Sequence, residues 1–362
     1  MEAQDELDRD PFGGSADAID PGAASAPGSG LFGLDPDPAA SAVWVQPVPF
    51  DATTSYRPGA RFGPEAVLRA SHQVELLCPL FGEPWRAGIA WRPASGEVAA
   101  AQSEAFGAAR RVIAVGGHIE DDAQLRGDLE RVNAAGLALN AAVRAATTEA
   151  LDAKKLPVLL GGDHSTPFGA LAAVAERHPG LGVLHLDAHA DLRRAFEGFE
   201  WSHASILFNA CEQIDGIAKL VQIGIRDTCP EEIDYAVGQR GRIEQLDDAT
   251  WSRARLEGRL PALAEAWIAK LPDEVYVTVD IDGLDPVLCP NTGTPVPGGL
   301  RWDEFDLLLR TLAHSGKRVV GLDLVEVSPG EDGGPTDRDS WDANVGARAL
   351  YRLIGAALVS RS

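Results

Sequence analysis

The stretch that decides the fold reads VLHLDAHAD and covers residues 183–191. It begins as a mainly aliphatic buried strand, and polar residues follow directly where that strand would end. Two further stretches are built alike: PVLLGGDHS at residues 157–165 and VYVTVDID at residues 275–282. Strands that are apolar on both faces predict a parallel sheet covered by helices on each side. Ligands of such sheets bind beyond the carboxyl ends of the strands, so we expect the functional site there.

The rest of the chain alternates short apolar runs with longer Ala-, Leu- and Arg-rich stretches, which predicts an α/β fold. Strands are predicted at Val112–Val115, Pro157–Leu160, Gly182–Leu186, Leu220–Ile225, Val275–Val279 and Arg318–Leu324. Helices are predicted around residues 122–152, 166–178, 260–270, 302–315 and 341–359. Residues 1–40 are rich in Ala, Gly, Asp, Ser and Pro, which predicts a disordered acidic tail. Residues 41–362 are predicted to form one catalytic domain.

Composition limits the classes of partner. A formal charge of −22 over 362 residues argues against nucleic acid and suits cationic small molecules. The four cysteines are far apart, which fits a reducing cytosol. The N-terminus is acidic where a signal peptide would be basic, and no apolar run reaches the roughly 18 residues of a membrane span. We therefore expect a cytoplasmic protein with no membrane or nucleic-acid partner.

Polar clusters stand at four predicted strand ends. They are the segments 161–165 (GGDHS), 187–191 (DAHAD), 278–286 (TVDIDGLDP) and 323–326 (DLVE). Residues two apart on a strand share a face at a separation of roughly 6.6 Å, which applies to Asp187 with His189 and to Asp280 with Asp282. Paired catalytic metal ions lie about 3.5–4 Å apart, so one residue of each pair can bridge two ions. Asp191 joins such a site only if the chain curls after His189.

Charge counting favours the same interpretation. Asp187, Asp191, Asp280 and Asp282 would bring four negative charges into one small pocket and repel one another, whereas two divalent cations would neutralise them. Oxygen and imidazole ligands without thiolate favour Mn²⁺ over zinc or copper. Each motif alone is weak, because an Asp-x-Asp pair is often a turn and Asp163 could simply hold its own loop. Together and in this order, the clusters predict a two-metal site.

These segments resemble the ureohydrolase family of arginases and agmatinases. The resemblance extends upstream to TSYRPGARFGPEA at residues 54–66 and downstream to TGTP at residues 292–295 and the glycine pair at 298–299. It implies a three-layer α/β/α fold with a mostly parallel sheet of about eight strands. It also implies a homo-oligomer, either a trimer or a hexamer.

The resemblance further implies roles for individual residues. The first ion would be held by His164, Asp187, Asp191 and Asp280, and the second by Asp187, His189, Asp280 and Asp282. Glu326 stands where the family grips the guanidinium group, and His203 stands where it keeps a proton-transfer histidine. The candidate catalytic residues are therefore His203, Glu326 and Asp191.

Elementary chemistry agrees with these roles. A guanidinium carbon is a poor electrophile because its charge is spread over three nitrogens, so hydrolysis requires hydroxide at neutral pH. Metal ions lower the pKa of bound water to about 7. The leaving amine needs a proton, which histidine can transfer. A buried carboxylate such as Glu326 can orient the planar cation.

The substrate is the open part of the prediction. Arg193 stands where arginases carry an asparagine for the amino-acid end of arginine, and the sequence from there resembles agmatinases more closely. Ala204 replaces a glycine common in agmatinases, and Thr278 replaces the serine of arginases but keeps the hydroxyl. Agmatine, cleaved to putrescine and urea, is the leading candidate for the small cationic substrate. A guanidino acid such as guanidinobutyrate, or a formimino substrate as in formimidoylglutamase, would suit Arg193 if it binds a carboxylate; otherwise Arg193 pairs with Glu197 or Glu200.

Two other classes fit less well. A deacetylase of the same broad fold would use one zinc and fewer carboxylates. A non-catalytic metal-binding relative would not need the complete ligand set together with His203.

Overall fold

The structure, a computed structural model, describes residues 19–26, 28–329 and 340–362. Its centre is an eight-stranded sheet in which all neighbouring strands are parallel. The strands are β1 (Val43–Val48), β2 (Ile89–Trp91), β3 (Leu156–Gly161), β4 (Leu181–Leu186), β5 (Ile217–Ile225), β6 (Ile243–Asp247), β7 (Glu274–Asp280) and β8 (Arg318–Val325). Their order across the sheet is β2-β1-β3-β8-β7-β4-β5-β6.

Helices cover both faces of the sheet. They are α1 (Gly63–Ser71), α2 (Gly96–Ile113), α3 (Ala123–Asp152), α4 (Phe168–Arg177), α5 (Ile206–Gln213), α6 (Pro230–Gly238), α7 (Asp248–Leu256), α8 (Leu260–Ile268), α9 (Trp302–Ala313) and α10 (Trp341–Val359). Buried side chains of α1 and α7–α10 form one apolar core with the sheet, and those of α2–α6 form a second core. The predicted three-layer α/β/α fold is confirmed.

Most predicted elements match observed ones. Five predicted strands correspond to β3, β4, β5, β7 and β8, and the five predicted helices correspond to α3, α4, α8, α9 and α10. Asp122 caps α3 by accepting hydrogen bonds from the backbone N–H groups of Gln124 and Leu125, which sets the start of the longest helix. The prediction of a strand at Val112–Val115 was wrong: Val112 is a fully buried residue in the last turn of the Ala-rich helix α2.

The prediction that residues 1–40 form a disordered tail is wrong for residues 31–34. Residues 1–18 and residue 27 of the predicted tail lie outside the described residues. Leu31, Phe32 and Leu34, in contrast, are almost completely buried in the core beside α1 and α10. The Phe32 ring contacts Tyr351 with centroids 4.7 Å apart, and its backbone N–H donates to Ser71 Oγ. Composition predicted disorder here because three apolar residues are too few to register in a polar segment.

Four central strands, β3, β8, β7 and β4, are direct neighbours. Because they are parallel, their carboxyl ends meet at one edge, and that is where the polar clusters stand. Among the described residues, no helix is long and apolar enough to cross a membrane.

Candidate metal centre

The fold brings together all six residues predicted to ligate metal. His164 follows β3, and Asp187, His189 and Asp191 follow β4. Asp280 is the last residue of β7, and Asp282 lies in the one-turn helix Ile281–Gly283 that follows it. Glu326 comes directly after β8. Apart from His189, whose side chain is 25% exposed, these residues are buried.

The curl that Asp191 requires is present. Asp191 has a backbone φ of +55°, in the left-handed region that non-glycine residues rarely adopt. This turn brings its Oδ2 to 3.0 Å from His164 Nδ1. Glu326 also has a positive φ, of +61°. Such conformations cost on the order of 1–3 kcal/mol each and are concentrated at functional sites.

His164 points one ring nitrogen at three carboxylates. Its Nδ1 lies 2.9 Å from Asp187 Oδ2, 3.0 Å from Asp191 Oδ2 and 3.4 Å from Asp280 Oδ2. This buried nitrogen nevertheless makes no well-formed hydrogen bond to any described residue. One proton cannot bridge three acceptors, whereas a cation among these four atoms can contact them all. The donor set therefore fits a divalent metal ion.

A second group of ligand atoms adjoins the first. His189 Nδ1 lies 3.1 Å from Asp282 Oδ2 and 3.4 Å from Asp187 Oδ1. The Ala188 backbone N–H donates to Asp282 Oδ1 at 3.0 Å, and that of Asp282 donates to Asp280 Oδ1 at 2.8 Å. These bonds fix the carboxylates in place. Asp187 contributes to both groups, as expected of a bridging ligand.

The electrostatics of the cluster show its unbalanced negative charge. Burial, and then the charges of Asp282 and Asp187, raise the pKa of Asp280 well above its ordinary value. Burial and the neighbouring Asp187 raise the pKa of Asp191 to about 7. Carboxylates in this condition are stabilised in their ionised form by divalent cations. The fit of the residues to two ions thus rests on both geometry and charge.

Glu326 has one oxygen in use and one free. Its Oε1 accepts the backbone N–H of His164 at 3.0 Å. Its Oε2 is buried and has no hydrogen-bond partner within the described part of the chain. Burial, and then the nearby Asp280, raise the pKa of Glu326 well above its ordinary value. An unpartnered buried carboxylate oxygen is suited to receive an N–H group of a cationic ligand.

His203 begins the one-turn 3₁₀ helix His203–Ser205, directly before α5. Its backbone N–H donates to Thr53 Oγ1, and its ring meets the edge of Phe196 with centroids 6.2 Å apart. Burial, and then the charge of His189, lower the pKa of His203 to about 4. The imidazole is therefore neutral at pH 7. Thr53, whose hydroxyl donates to Asp163, links the His203 backbone to the loop that carries His164.

Arg193 forms neither of the predicted ion pairs, with Glu197 or Glu200, and lies near Glu232 instead. Its Nε lies 3.8 Å from Glu232 Oε2, and its guanidinium stacks over Phe196, so it pairs with neither Glu197 nor Glu200. Glu232 Oε1 already accepts the backbone N–H of Leu192, and its Oε2 accepts that of Cys229. Arg193 is therefore only loosely neutralised, and 37% of its side chain is exposed.

Asp163 is a turn residue, as its weaker interpretation predicted. Its Oδ2 accepts from the hydroxyl of Thr53 at 2.9 Å, and its Oδ1 accepts from the backbone N–H of Ser165 at 3.1 Å. The side chain thus holds the loops that carry His164 and His203.

Sequence reasoning placed Thr278 and Asp323 in separate clusters but missed a polar row to which both belong, which crosses the sheet just before the strand ends. In register on five adjacent strands stand Asp323 (β8), Thr278 (β7), His185 (β4), Gln222 (β5) and Gln245 (β6). We call these five residues the polar row. The first four are fully buried. The available signal was His185 itself, a polar residue inside an apolar run and two positions before Asp187, hence on the same strand face.

An all-parallel α/β/α domain with carboxylates and imidazoles gathered at the central strand ends is an arginase fold with a candidate metal centre. The sequence profile of the Arginase family matches residues 41–355, and the chain belongs to that family. It is a hydrolase of the class that acts on non-peptide C–N bonds in linear amidines. The binuclear metal site of the family corresponds to the His/Asp cluster described above.

Three relatives show how far the similarity extends. Proclavaminate amidinohydrolase of Streptomyces clavuligerus is 34% identical over 329 residues, which cover 89% of this chain and 91% of that protein. The solved structure of proclavaminate amidinohydrolase from that organism matches with a TM-score of 0.70 at 28% identity, covering 93% of this chain and 99% of the other. N(1)-aminopropylagmatine ureohydrolase of a Thermus thermophilus strain is 36% identical, covering 79% of this chain and 83% of that protein. Agmatinase of Bacillus anthracis is 31% identical, covering 80% and 84% respectively.

Proposed function

We propose that this chain binds two Mn²⁺ ions and hydrolyses a linear guanidino compound to urea and an amine, with agmatine as the substrate and putrescine as the product. The observation that carries the proposal is the buried His164 nitrogen facing oxygens of three aspartates within 3.4 Å. Such an arrangement is unfavourable without a cation and matches the ligand preferences of Mn²⁺.

The ligand sets are those that the resemblance to the ureohydrolase family implies. One ion would be held by His164, Asp187, Asp191 and Asp280, and the other by Asp187, His189, Asp280 and Asp282. When bound, the ions supply hydroxide at neutral pH by lowering the pKa of water to about 7.

Glu326 binds and orients the guanidinium. Its free Oε2 accepts an N–H of the planar cation, while Oε1 stays bound to the His164 backbone. The raised pKa of Glu326 then returns toward its ordinary value, because the substrate cation stabilises the ionised carboxylate. His203 passes a proton to the leaving amine: its neutral ring both donates and accepts, so it can relay a proton without remaining charged.

Two observations support agmatine, and one supports an alternative. Agmatinase and N(1)-aminopropylagmatine ureohydrolase are among the relatives, and a chain charge of −22 favours a dication. The loosely neutralised Arg193 instead favours a guanidino acid or a formimino acid, whose carboxylate it could bind. The relative that acts on proclavaminate is compatible with that alternative. The trimeric or hexameric assembly and the cytoplasmic location stay predictions.

The deciding experiment measures urea release by the Mn²⁺-loaded protein from agmatine, N(1)-aminopropylagmatine, arginine and guanidinobutyrate. Formiminoglutamate runs in parallel with ammonia as the readout. We expect agmatine to be turned over fastest. A preference for the acids would transfer the assignment to the guanidino-acid or formimino alternative, and Arg193→Gln should then raise KM for those acids selectively. Failure on every substrate with two ions bound would refute the proposed substrate class.

The role of His203 is tested separately. We expect His203→Ala to keep two ions and lower turnover by about 10²–10⁴, the usual contribution of a general acid or base. Added imidazole should restore part of the activity. The matched control is His178→Ala, since His178 pairs with Glu274 away from the cluster and should be silent. Unchanged turnover in His203→Ala would contradict the assignment.

A further inference from the structure

His185 lies among the candidate metal ligands, but each of its two ring nitrogens already has a hydrogen-bond partner. One nitrogen of His185 lies within 4.8 Å of ligand atoms of His164, Asp187 and Asp191, so proximity alone would make it a fourth ligand. Its Nε2 is 2.8 Å from Asp187 Oδ2, and its Nδ1 is 2.8 Å from Gln222 Nε2. What it does depends on which nitrogen carries the proton.

Gln222 determines that proton's position. The Gln222 amide nitrogen also donates to the backbone carbonyl of Ala190 at 2.7 Å, and its Oε1 accepts from Gln245 Nε2 at 2.9 Å. A carbonyl cannot donate, so the nitrogen of the Gln222 amide must face Ala190 and His185. It therefore donates to His185 Nδ1, which leaves the ring proton on Nε2.

We propose that His185 is a positioning residue and not a metal ligand: Gln222 holds it as the Nε2–H tautomer, and its N–H fixes the carboxylate of Asp187. An Nε2 that carries a proton has no lone pair for a cation. The N–H instead holds Asp187 Oδ2, the same oxygen that faces His164 Nδ1 at 2.9 Å. Hydrogen bonds of this kind to a ligating carboxylate typically change metal affinity 10–100-fold when removed. The inference rests on the proposed function only in placing divalent ions at the cluster.

The row geometry explains why this contact can form. His185 and Gln222 are register partners on β4 and β5, and Gln222 and Gln245 are partners on β5 and β6. The side chains of Gln245, Gln222 and His185 therefore form a continuous series of hydrogen bonds from the partly exposed Gln245 to the buried Asp187. Asp187 stands two residues beyond His185 on the same strand face, so the imidazole reaches it directly.

The tautomer can be observed directly. In protein labelled with [¹⁵N]histidine, long-range ¹H–¹⁵N spectra identify which nitrogen of His185 is protonated, with His185→Phe supplying the assignment. We expect a protonated Nε2 and an unprotonated Nδ1, unchanged after addition of Zn²⁺ as a diamagnetic ion. Loss of the Nε2 proton on Zn²⁺ addition would identify a ligand and overturn the proposal. This readout needs no substrate and does not depend on the reaction being assigned correctly.

Metal titration supplies the second test. We expect His185→Phe still to bind two Mn²⁺ ions, with affinity reduced 10–100-fold. A His185→Phe protein that binds only one ion, or that binds Mn²⁺ as tightly as the parent protein, would refute the positioning role. Thermal unfolding of the variant separates these outcomes from a general loss of structure.

Discussion

His164 and His185 are buried neighbours, with ring centroids 5.2 Å apart, yet their surroundings give them opposite roles. The Thr278 hydroxyl donates to Asp323 at 2.8 Å and therefore accepts from His164 Nε2 at 2.9 Å, which leaves His164 Nδ1 facing the carboxylates. In His185 the roles of the two nitrogens are reversed: Nδ1 accepts from the Gln222 amide, and Nε2 donates to the Asp187 carboxylate. The group behind each ring, a hydroxyl that accepts or an amide that donates, decides which histidine can ligate metal.

The largest effect is expected from Asp187, which both histidines contact. Asp187→Asn removes a charge from both candidate ion sites and offers an N–H where one oxygen accepts. Metal ions contribute several kcal/mol to such reactions, and 1.36 kcal/mol corresponds to tenfold, so we expect turnover to fall by at least about 10³. Metal content per chain should fall below two. Asp215→Asn, at an exposed loop position, is the control; full metal occupancy in Asp187→Asn would contradict the bridging assignment.

Thr278→Val removes the hydroxyl that holds His164 and leaves the contacts of His185 unchanged. The variant keeps the shape of the side chain but leaves the buried His164 Nε2–H without its acceptor. We expect Mn²⁺ affinity to fall about 10–100-fold for one ion while the other binds normally, as measured by two-site calorimetric titration. Thr278→Ser keeps the hydroxyl and should bind like the parent protein. Equal loss of affinity for both ions would mean that His164 and His185 do not act on the two ion sites separately.

Proton competition gives a smaller, graded effect on the His164 side. Burial and Asp187 raise the pKa of Asp191 to about 7, and Asp191 must be ionised to hold a cation. Below pH 7 its protonated form dominates, so Mn²⁺ affinity should fall as the pH drops through 7, by about tenfold per pH unit for one proton. Above pH 7 this contribution should level off. Titrations from pH 5.5 to 8.5 test this, and an affinity that does not vary across the range would contradict it.

The histidine pair also marks how far the sequence could predict this site. Asp187, His189, Asp280 and Asp282 could be predicted because strand spacing and charge repulsion act between residues close in sequence. The polar row could not, because its members lie on five strands and meet only through registers that the sequence does not state. His185 looked like one more residue of a buried strand.

The fold shows the same limit. Its central strands were predictable because they are long aliphatic runs, whereas β2 has three residues and β6 carries Glu244 and Gln245. Val112–Val115 was misread because two β-branched residues complete a helix whose start, capped by Ser95, lies well upstream. Leu31 and Phe32 are fixed by α1 and α10 at distant positions in the chain. Contacts with distant elements decided the Leu31–Phe32 case, whereas the extent of one helix decided the Val112–Val115 case.

Gln245→Leu should give the smallest effect and sharpen the contrast between the two histidines. Gln245 does not contact His185 directly, because its amide donates to Gln222 Oε1. Without Gln245, the Gln222 amide nitrogen still has its bonds to the Ala190 carbonyl and to His185 Nδ1. A hydrogen bond between neutral groups contributes about 1 kcal/mol, so Mn²⁺ affinity should fall by at most about fivefold. The His185 tautomer should stay unchanged in ¹⁵N spectra. A loss as large as that of His185→Phe would mean that the Gln222 amide needs Gln245 to hold its orientation, and that His185, Gln222 and Gln245 act as one unit.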